Sequence, residues 1–269
     1  LRWLHAIADV IGLLASILPI RENRVAARNL ELCFKELDAR QRRQWRRACL
    51  RETARTLFEL PWIWGRSRAE VLALIESIEG AELLEMARDE GKGLLIAAPH
   101  LGAFELLNLW LSQHLDLLVL YRAPDNPAVD AWLTSGRTRF GARAVRAEGK
   151  EIRALVKHLR AGGAVGILPD QQPKRGEGEF ANFFGIQAFT MTLFPELVRR
   201  YQAPVILAYA ERLANGRFCL HLKRAAPAPS DVQLLNAAVE SCVRALPTQY
   251  QWTYKRFSMR PEGEAKLYR

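Results

Sequence analysis

Cysteine is sparse and scattered. Cys33, Cys49, Cys219 and Cys242 form no C-x2-C or C-x4-C pair, and no cluster of Cys and His accompanies them in sequence. That argues against a structural zinc site. Each reads as a reduced thiol of a cytosol-facing protein, most of them buried. The chain also lacks internal repeats, low-complexity linkers and any clear domain boundary. It has no G-x-S-x-G elbow, which weakens a hydrolase reading. It has no zinc finger, no RNP-type aromatic strand and no KH-like G-x-x-G loop, which weakens a nucleic-acid-binding reading. Acidic residues are in short supply: 29 Asp+Glu against 39 Lys+Arg leaves a net charge of +10. A surplus of that sign suits a polyanionic partner, whether nucleic acid, an anionic membrane surface or an acidic protein.

The chain does contain ample apolar material, 49% over 269 residues, enough for a large core. The first twenty residues, LRWLHAIADVIGLLASILPI, are nearly all apolar. On a helical projection Arg2, His5, Asp9, Gly12 and Ser16 fall on one arc of about 80°. That stripe is too narrow for an ordinary surface helix, and about 18 residues is near the lower limit for crossing a bilayer. No small-residue cleavage signature of a signal peptide is present. Two readings stand: a helix that spans or lies on a membrane, or one buried against protein or in a dimer contact. Arg21, Arg24 and Arg28 follow, as flanking charges on the cytoplasmic side do.

Asp38 is placed to cap a helix running to about Trp64. Its surface carries Arg42, Arg43, Arg46 and Arg47, either a solvated face or a dock for an acidic partner. The stretch RSRAEVLALIESIEG reads as a helix, or as a helix running into a strand. From Gly91 the pattern changes. GLLIAAP, LLVLY, AVGILP and PVILAYA are short apolar runs bounded by Gly, Pro or charge, and read as buried strands. Residues 103–114, 128–140, 149–161 and 190–201 between them read as helices. RFCLHLKR reads as a more exposed strand and LLNAAVESCVRAL as a late helix. The alternation predicts an α/β fold, a sheet with helices on both faces. We expect an N-terminal anchor helix over 1–20 and one domain over 21–269, helical to about residue 90 and α/β from about 91.

In such sheets ligands gather at the carboxyl ends of strands. His100 directly follows the strand LLIAA, and Glu105 falls in the first turns of the next helix. Positions i and i+5 point about 140° apart on a helix. The two side chains therefore meet only if His100 lies in the loop and Glu105 reaches back. A carboxylate on one imidazole nitrogen fixes the tautomer and leaves the other nitrogen as a general base. The spacing alone is a weak motif. His5, His114, His158 and His221 lack both a carboxylate at comparable spacing and a strand-end setting, and we assign them no chemistry.

PHLGAFE resembles the H-x4-D/E motif of glycerolipid-type acyltransferases. The ordered set RVAARNLELCF, YRAPDNPAVDAWLTSGRTRFG, ILPDQQP, FFGIQAFTMT and QYQWTYKRFSMRPEG more closely resembles the late (lauroyl/myristoyl) acyltransferases of lipid A biosynthesis, over essentially the whole chain. TMTLFPELVRRY is bulkier than the small, glycine-containing stretch the pattern leads one to expect, which bears on the shape of the acceptor pocket. The resemblance implies a glycerolipid acyltransferase-like α/β/α mixed sheet. It implies transfer of a fatty acyl chain from acyl carrier protein to a hydroxyl of an acylated lipid A precursor (Kdo2-lipid IVA type), in lipopolysaccharide biosynthesis at the cytoplasmic face of the inner membrane. No metal and no cofactor is expected beyond the carrier's phosphopantetheine, because a thioester carbonyl is already activated.

On that footing His100 is the expected base and Glu105 its orienter. By match to the family, Arg137 is the functional arginine of SGRTRFG, meeting an oxyanion or a phosphate, with Arg139 beside it. Arg122 is a second phosphate candidate. Asp170 either orders the DQQP loop or meets substrate. Lys174 and Arg175 follow it, and Lys255 and Arg256 are further phosphate candidates. Phe183 and Phe184, with Phe180 and Phe189, form either core or one wall of an acyl pocket. Arg42, Arg43, Arg46 and Arg47 become the expected dock for acyl carrier protein. The alternative is an acyltransferase of the same superfamily with another lipid acceptor.

Overall fold

A computed structural model describes residues 1–147 and 150–268; residue 149, the expected start of one helix, and Arg269 lie outside the described residues. Three helices come first, α1 (Arg2–Ile17), α2 (Arg21–Cys33) and α3 (Ala39–Gly65). Asp38 caps α3 as expected. Its carboxylate accepts from the backbone N–H groups of Arg40 and Gln41, and the Gln41 side chain accepts in return from the Asp38 N–H.

The narrow polar stripe of α1 faces α3. His5, Ala8, Gly12 and Ser16 are buried there. A Cβ on Gly12 would lie 2.4 Å from the Arg51 Cα, so the two helices come this close only because position 12 has no side chain. Asp9 accepts two 2.7 Å hydrogen bonds from Arg55 of α3, and His5 Nε2 lies 2.7 Å from Glu59 Oε1. The apolar remainder points outward, with Trp3, Val10 and Ile17 exposed by 84%, 59% and 65%. The polar stripe is thus a protein contact, as the reading of a helix buried against protein expects, and the apolar residues lie on the exposed side. Among the described residues no single helix is long and apolar enough to cross a membrane.

The rest is a seven-stranded mixed sheet in the order β1-β9-β8-β2-β5-β3-β4. Its strands are β1 (Ile75–Glu79), β2 (Leu94–Ala97), β3 (Leu117–Tyr121), β4 (Arg143–Arg146), β5 (Ala164–Ile167), β8 (Val205–Arg212) and β9 (Phe218–Arg224). From β8 to β4 all neighbours are parallel; β9 runs antiparallel to β8, and β1 is parallel to β9. The connecting helices are α4 (Arg68–Leu72), α5 (Glu82–Asp89), α6 (Phe104–His114), α7 (Pro127–Thr138), α8 (Lys150–Arg160), α9 (Leu193–Tyr201) and α10 (Val232–Ala245). RSRAEVLALIESIEG is thus a helix running into a strand.

Successive strand residues point to opposite faces, and both faces are covered. Leu95 and Ala97 of β2 join a core with Phe194 and Leu197 of α9 and Leu235 and Val239 of α10. Leu94 and Ile96 join a second core with Leu106, Leu107 and Leu109 of α6. Burying each such leucine stabilises the fold by about 1.5–3 kcal/mol.

Sequence reading passed over β4 and the antiparallel hairpin β6 (Gly178–Phe183) and β7 (Ile186–Met191). The expected helix 190–201 begins only at Leu193, because Thr190 and Met191 belong to β7. The hairpin turns on Phe184 and Gly185, both with positive φ (53° and 73°), the geometry of a tight two-residue turn. Phe184 tolerates it because its N–H donates to Glu240 at 2.6 Å and its ring packs on Phe34 and Trp252.

Candidate active site

β2 and β5 are parallel neighbours, with Ala97 opposite Ile167. His100 and Asp170 each lie three residues further on, so the two chains leave the same edge side by side and deliver the two residues together. His100 Nδ1 donates to Asp170 Oδ1 at 2.9 Å, and the His100 backbone N–H donates to Oδ2 at 3.1 Å. An ionised carboxylate can only accept, so the Nδ1 position carries the proton and Nε2 presents a lone pair. Burial pushes the Asp170 carboxyl up, but the positive charge of His100 when it is protonated and the two hydrogen bonds from His100 outweigh this and hold it below the usual carboxylate range. Tyr250, buried beside Asp170, is pushed well up by burial and by the carboxylate's charge.

On the Nε2 side the Gln171 amide lies 3.2 Å away, and it also donates to Gln251 Oε1 at 3.2 Å. The His100 ring meets Phe104 edge-on. The loop is stitched to the C-terminal segment: the His100 carbonyl accepts from the Gln251 N–H, and the Gly102 N–H donates to the Gln249 carbonyl. Gly102 has φ +62°, and a Cβ there would lie 1.9 Å from the Ala210 carbonyl oxygen, so no other residue fits. A narrow cleft beside this loop is lined by His100, Phe104, Gln251 and, from α3, Thr53, Thr56 and Leu57.

The partner expected for His100 is therefore wrong. Glu105 sits in the first turn of α6 and turns toward α7, where its Oε1 accepts from Arg137 Nε at 2.8 Å and Nη2 at 2.6 Å. The packing of the helices explains the exchange: α7 lies against α6, where Asn108 donates to the Arg137 carbonyl, and Glu105 meets the Arg137 guanidinium on that side. Glu105 is only 4% exposed, and among the described residues its Oε2 has no hydrogen-bond partner. Arg137 also lies over the Tyr121 ring.

The other expected site residues divide cleanly. Arg122, Arg139, Lys174 and Arg175 are exposed; Arg122 follows the carboxyl end of β3 and Lys174 and Arg175 come after that of β5, whereas Arg139 sits at the C-terminal end of α7. Phe183 and Phe184 are 1% and 7% exposed and belong to the main core, where they pack against Tyr250, Phe257, Phe34 and Trp252 rather than forming a wall of open space. Arg256 turns inward, donating to the Phe189 carbonyl and Thr190 Oγ1, whereas Lys255 lines a surface hollow with Arg21, Arg24, Arg28 and Lys266. Arg42, Arg43 and Arg46 share a groove with Arg24 and Arg28 of α2; Arg47 is exposed nearby in sequence.

Sequence reasoning missed Gln171, Gln251 and a buried assembly behind the loop. Arg212 of β8 donates to Glu59 at 2.6 Å through both Nε and Nη2, to Glu52 at 3.1 Å and to the Gly102 carbonyl at 3.2 Å. His5, His158 and His221 also have carboxylate partners, all from distant sequence, which spacing could not show.

The bacterial lipid A biosynthesis acyltransferase profile matches residues 1–259. The chain belongs to that family. It is 25% identical to the lipid A biosynthesis lauroyltransferase of Escherichia coli (strain K12) over 268 residues, 96% of this chain and 86% of that one. It is 26% identical to the palmitoleoyltransferase of the same organism over 267 residues, again 96% and 86%. A lipid A biosynthesis acyltransferase of Haemophilus influenzae is 28% identical over 245 residues, covering 89% and 76%. This lipid A acyltransferase-family chain is an acyltransferase, and its His100–Asp170 pair sits at the sheet edge where such folds hold their ligands.

Proposed function

We propose that the protein moves a fatty acyl chain from acyl carrier protein to a hydroxyl on an acylated lipid A precursor, with His100 as general base. The observation that carries this is the 2.9 Å bond from Nδ1 to a buried carboxylate, which leaves Nε2 as the basic nitrogen facing the cleft side. The acceptor O–H gives its proton to Nε2 as its oxygen attacks the thioester carbonyl. The C–S bond then breaks, and the proton passes from the imidazolium to the departing thiolate. Asp170 fixes the tautomer and stabilises the imidazolium. Base catalysis of this kind accelerates a reaction by about 10²–10⁴-fold. Arg137, held by Glu105, supplies positive charge for the oxyanion or a substrate phosphate, and the exposed Arg122, Arg139, Lys174 and Arg175 are further candidates to meet substrate phosphates. The reaction asks for no metal or cofactor besides the carrier's phosphopantetheine.

The apolar outer face of α1 supports attachment to the cytoplasmic face of the inner membrane, with Arg21, Arg24 and Arg28 meeting anionic headgroups. The groove of Arg24, Arg28, Arg42, Arg43 and Arg46 supports docking of the acidic carrier protein; its charge is what an acidic surface needs, and salt should weaken the contact. The deciding experiment incubates purified protein with acyl carrier proteins bearing chains of graded length and a tetra-acylated lipid A precursor. Mass spectrometry should show one acyl chain added to the lipid, and none with His100→Ala. Carrier-protein hydrolysis without any acylated lipid would sink the assignment of the acceptor.

A further inference from the structure

Away from the His100 loop, the far edge of the sheet gathers another set of donor atoms. Cys219 and His221 are two apart on β9 and so share one face. Glu79 on β1 stands in register with His221, and Glu211 on β8 stands in register with Cys219. A thiol sulfur, an imidazole nitrogen and a carboxylate oxygen from Cys219, His221 and Glu79 lie within 4.8 Å of one another. His221 Nδ1 lies 2.8 Å from Glu79 Oε2, its Nε2 lies 2.8 Å from Glu211 Oε2, and the ring is stacked on Tyr209. Glu79 and Glu211 have side chains 63% and 31% exposed, so an ion can reach the cluster from solvent.

We propose that Cys219, His221 and Glu79 form a site for zinc or a zinc-like divalent ion, with Glu211 as the carboxylate that orients the imidazole from its other nitrogen. The chemistry fits on three counts. Thiolate, imidazole and carboxylate are the ligand types zinc selects, and three protein ligands with one water is a common zinc arrangement. A metal-bound histidine characteristically donates its free N–H to a carboxylate, and Glu211 is placed to receive it. One thiolate and one carboxylate balance the ion's two charges. The consequence is local. β1 is an edge strand paired only with β9 and largely exposed, and a metal joining Glu79 to Cys219 and His221 clips it to the sheet. The competing arrangement is a protonated His221 held between two carboxylates, with Cys219 an ordinary buried thiol.

The test uses the full chain without a histidine tag, stripped with chelator and titrated with Zn²⁺ against a chromophoric chelator. One equivalent should bind. Cys219→Ser and His221→Gln should each weaken binding at least tenfold, and Glu211→Gln by about tenfold, as loss of an orienting partner does. The Co²⁺ form should show a thiolate-to-cobalt absorption that Cys219→Ser abolishes. No stoichiometric binding, equal binding by Cys219→Ser, or a Co²⁺ spectrum without the thiolate band overturns the site. Melts in chelator check that the variants fold; should His221→Gln fail there, Cys219→Ser and the wild-type Co²⁺ spectrum decide the matter.

Discussion

Two charged assemblies lie on either side of the same loop, and they are built for different purposes. The His100–Asp170 pair has one buried member and one whose side chain is 15% exposed. Among the described residues its other ring nitrogen meets a neutral amide, that of Gln171. The Arg212–Glu59 pair is 1% and 2% exposed, and its polar atoms are spent on Glu52, Thr56, His5 and the Gly102 carbonyl. Burial alone pushes the Arg212 guanidinium down and the Glu59 carboxyl up. Their mutual charge outweighs it in both, so each is held in its ionised form. A pair with a spare valence is open to a further partner, as the proposed base must be; a saturated pair holds shape.

The largest effect that separates them should be in turnover. His100→Ala and Asp170→Asn should each lower kcat by about 10²–10⁴-fold, with a fall in melting temperature smaller than that of Arg212→Met. The double variant should be scarcely slower than the slower single one, since the two act as a unit. Additive losses in single-turnover assays would show that Asp170 acts separately, as an ordering group of its loop.

Next in size is a loss of stability without a matching loss of chemistry. Arg212→Met leaves the buried Glu59 carboxylate with His5 in place of its guanidinium and should cost up to about 3–5 kcal/mol in a denaturant melt. Arg212→Met with Glu59→Leu should recover much of that. Turnover per folded molecule in the double variant should remain within about tenfold of the parent, because of the groups that lose a partner (Glu52, Thr56, His5 and the Gly102 carbonyl) the Gly102 carbonyl alone belongs to the His100 loop, and its hydrogen bond is worth about 1.5–3 kcal/mol at most. Both pairs also set the acid limit. The Asp170 and Glu59 carboxyls are held below their unfolded values. Each therefore contributes stability that is fully present above about pH 4–4.5 and is lost as pH falls through the folded value. Asp170→Asn should flatten part of that fall in melting temperature.

Glu105→Gln comes third and tests the corrected pairing. It should lower kcat/KM by weakening the hold on Arg137 while leaving the acid limb of the pH–rate profile in place. Asp170→Asn should move that limb. A shifted limb in Glu105→Gln would restore the pairing that sequence spacing suggested.

Much of this was legible before any coordinates. His100 and Asp170 were each recognisable as strand-end residues, and the strands that carry them were read within a few positions. Their meeting was not legible, because it depends on β5 lying between β2 and β3 in the sheet, and strand order leaves no mark on a single sequence. Spacing favoured Glu105 for His100 only because it was near in the chain. Phe183 and Phe184 looked like a pocket wall for a similar reason: an aromatic run shows that rings cluster, and only the hairpin's packing on α10 shows that the cluster is closed. The stripe on α1 is visible in the sequence, but not that the stripe would be the buried side and the apolar residues the exposed one. Its burial against α3 rests on Arg55 and Glu59, some fifty residues away.

The smallest predicted effect concerns the one difference that gives the comparison its meaning, the spare valence of Nε2. The Gln171 amide occupies that nitrogen and is itself tethered to Gln251, so an incoming hydroxyl has to displace one neutral hydrogen bond. Such a bond contributes about 0.5–1.5 kcal/mol net. Gln171→Ala removes the competitor and leaves the bond to Asp170 intact. The expected result is a rise in kcat/KM of about two- to tenfold, with an unchanged pH profile. A fall of more than tenfold would mean that Gln171 holds the acceptor or the thioester in the reacting complex. In that case the amide seen on Nε2 marks the place of a substrate group rather than an obstacle to it.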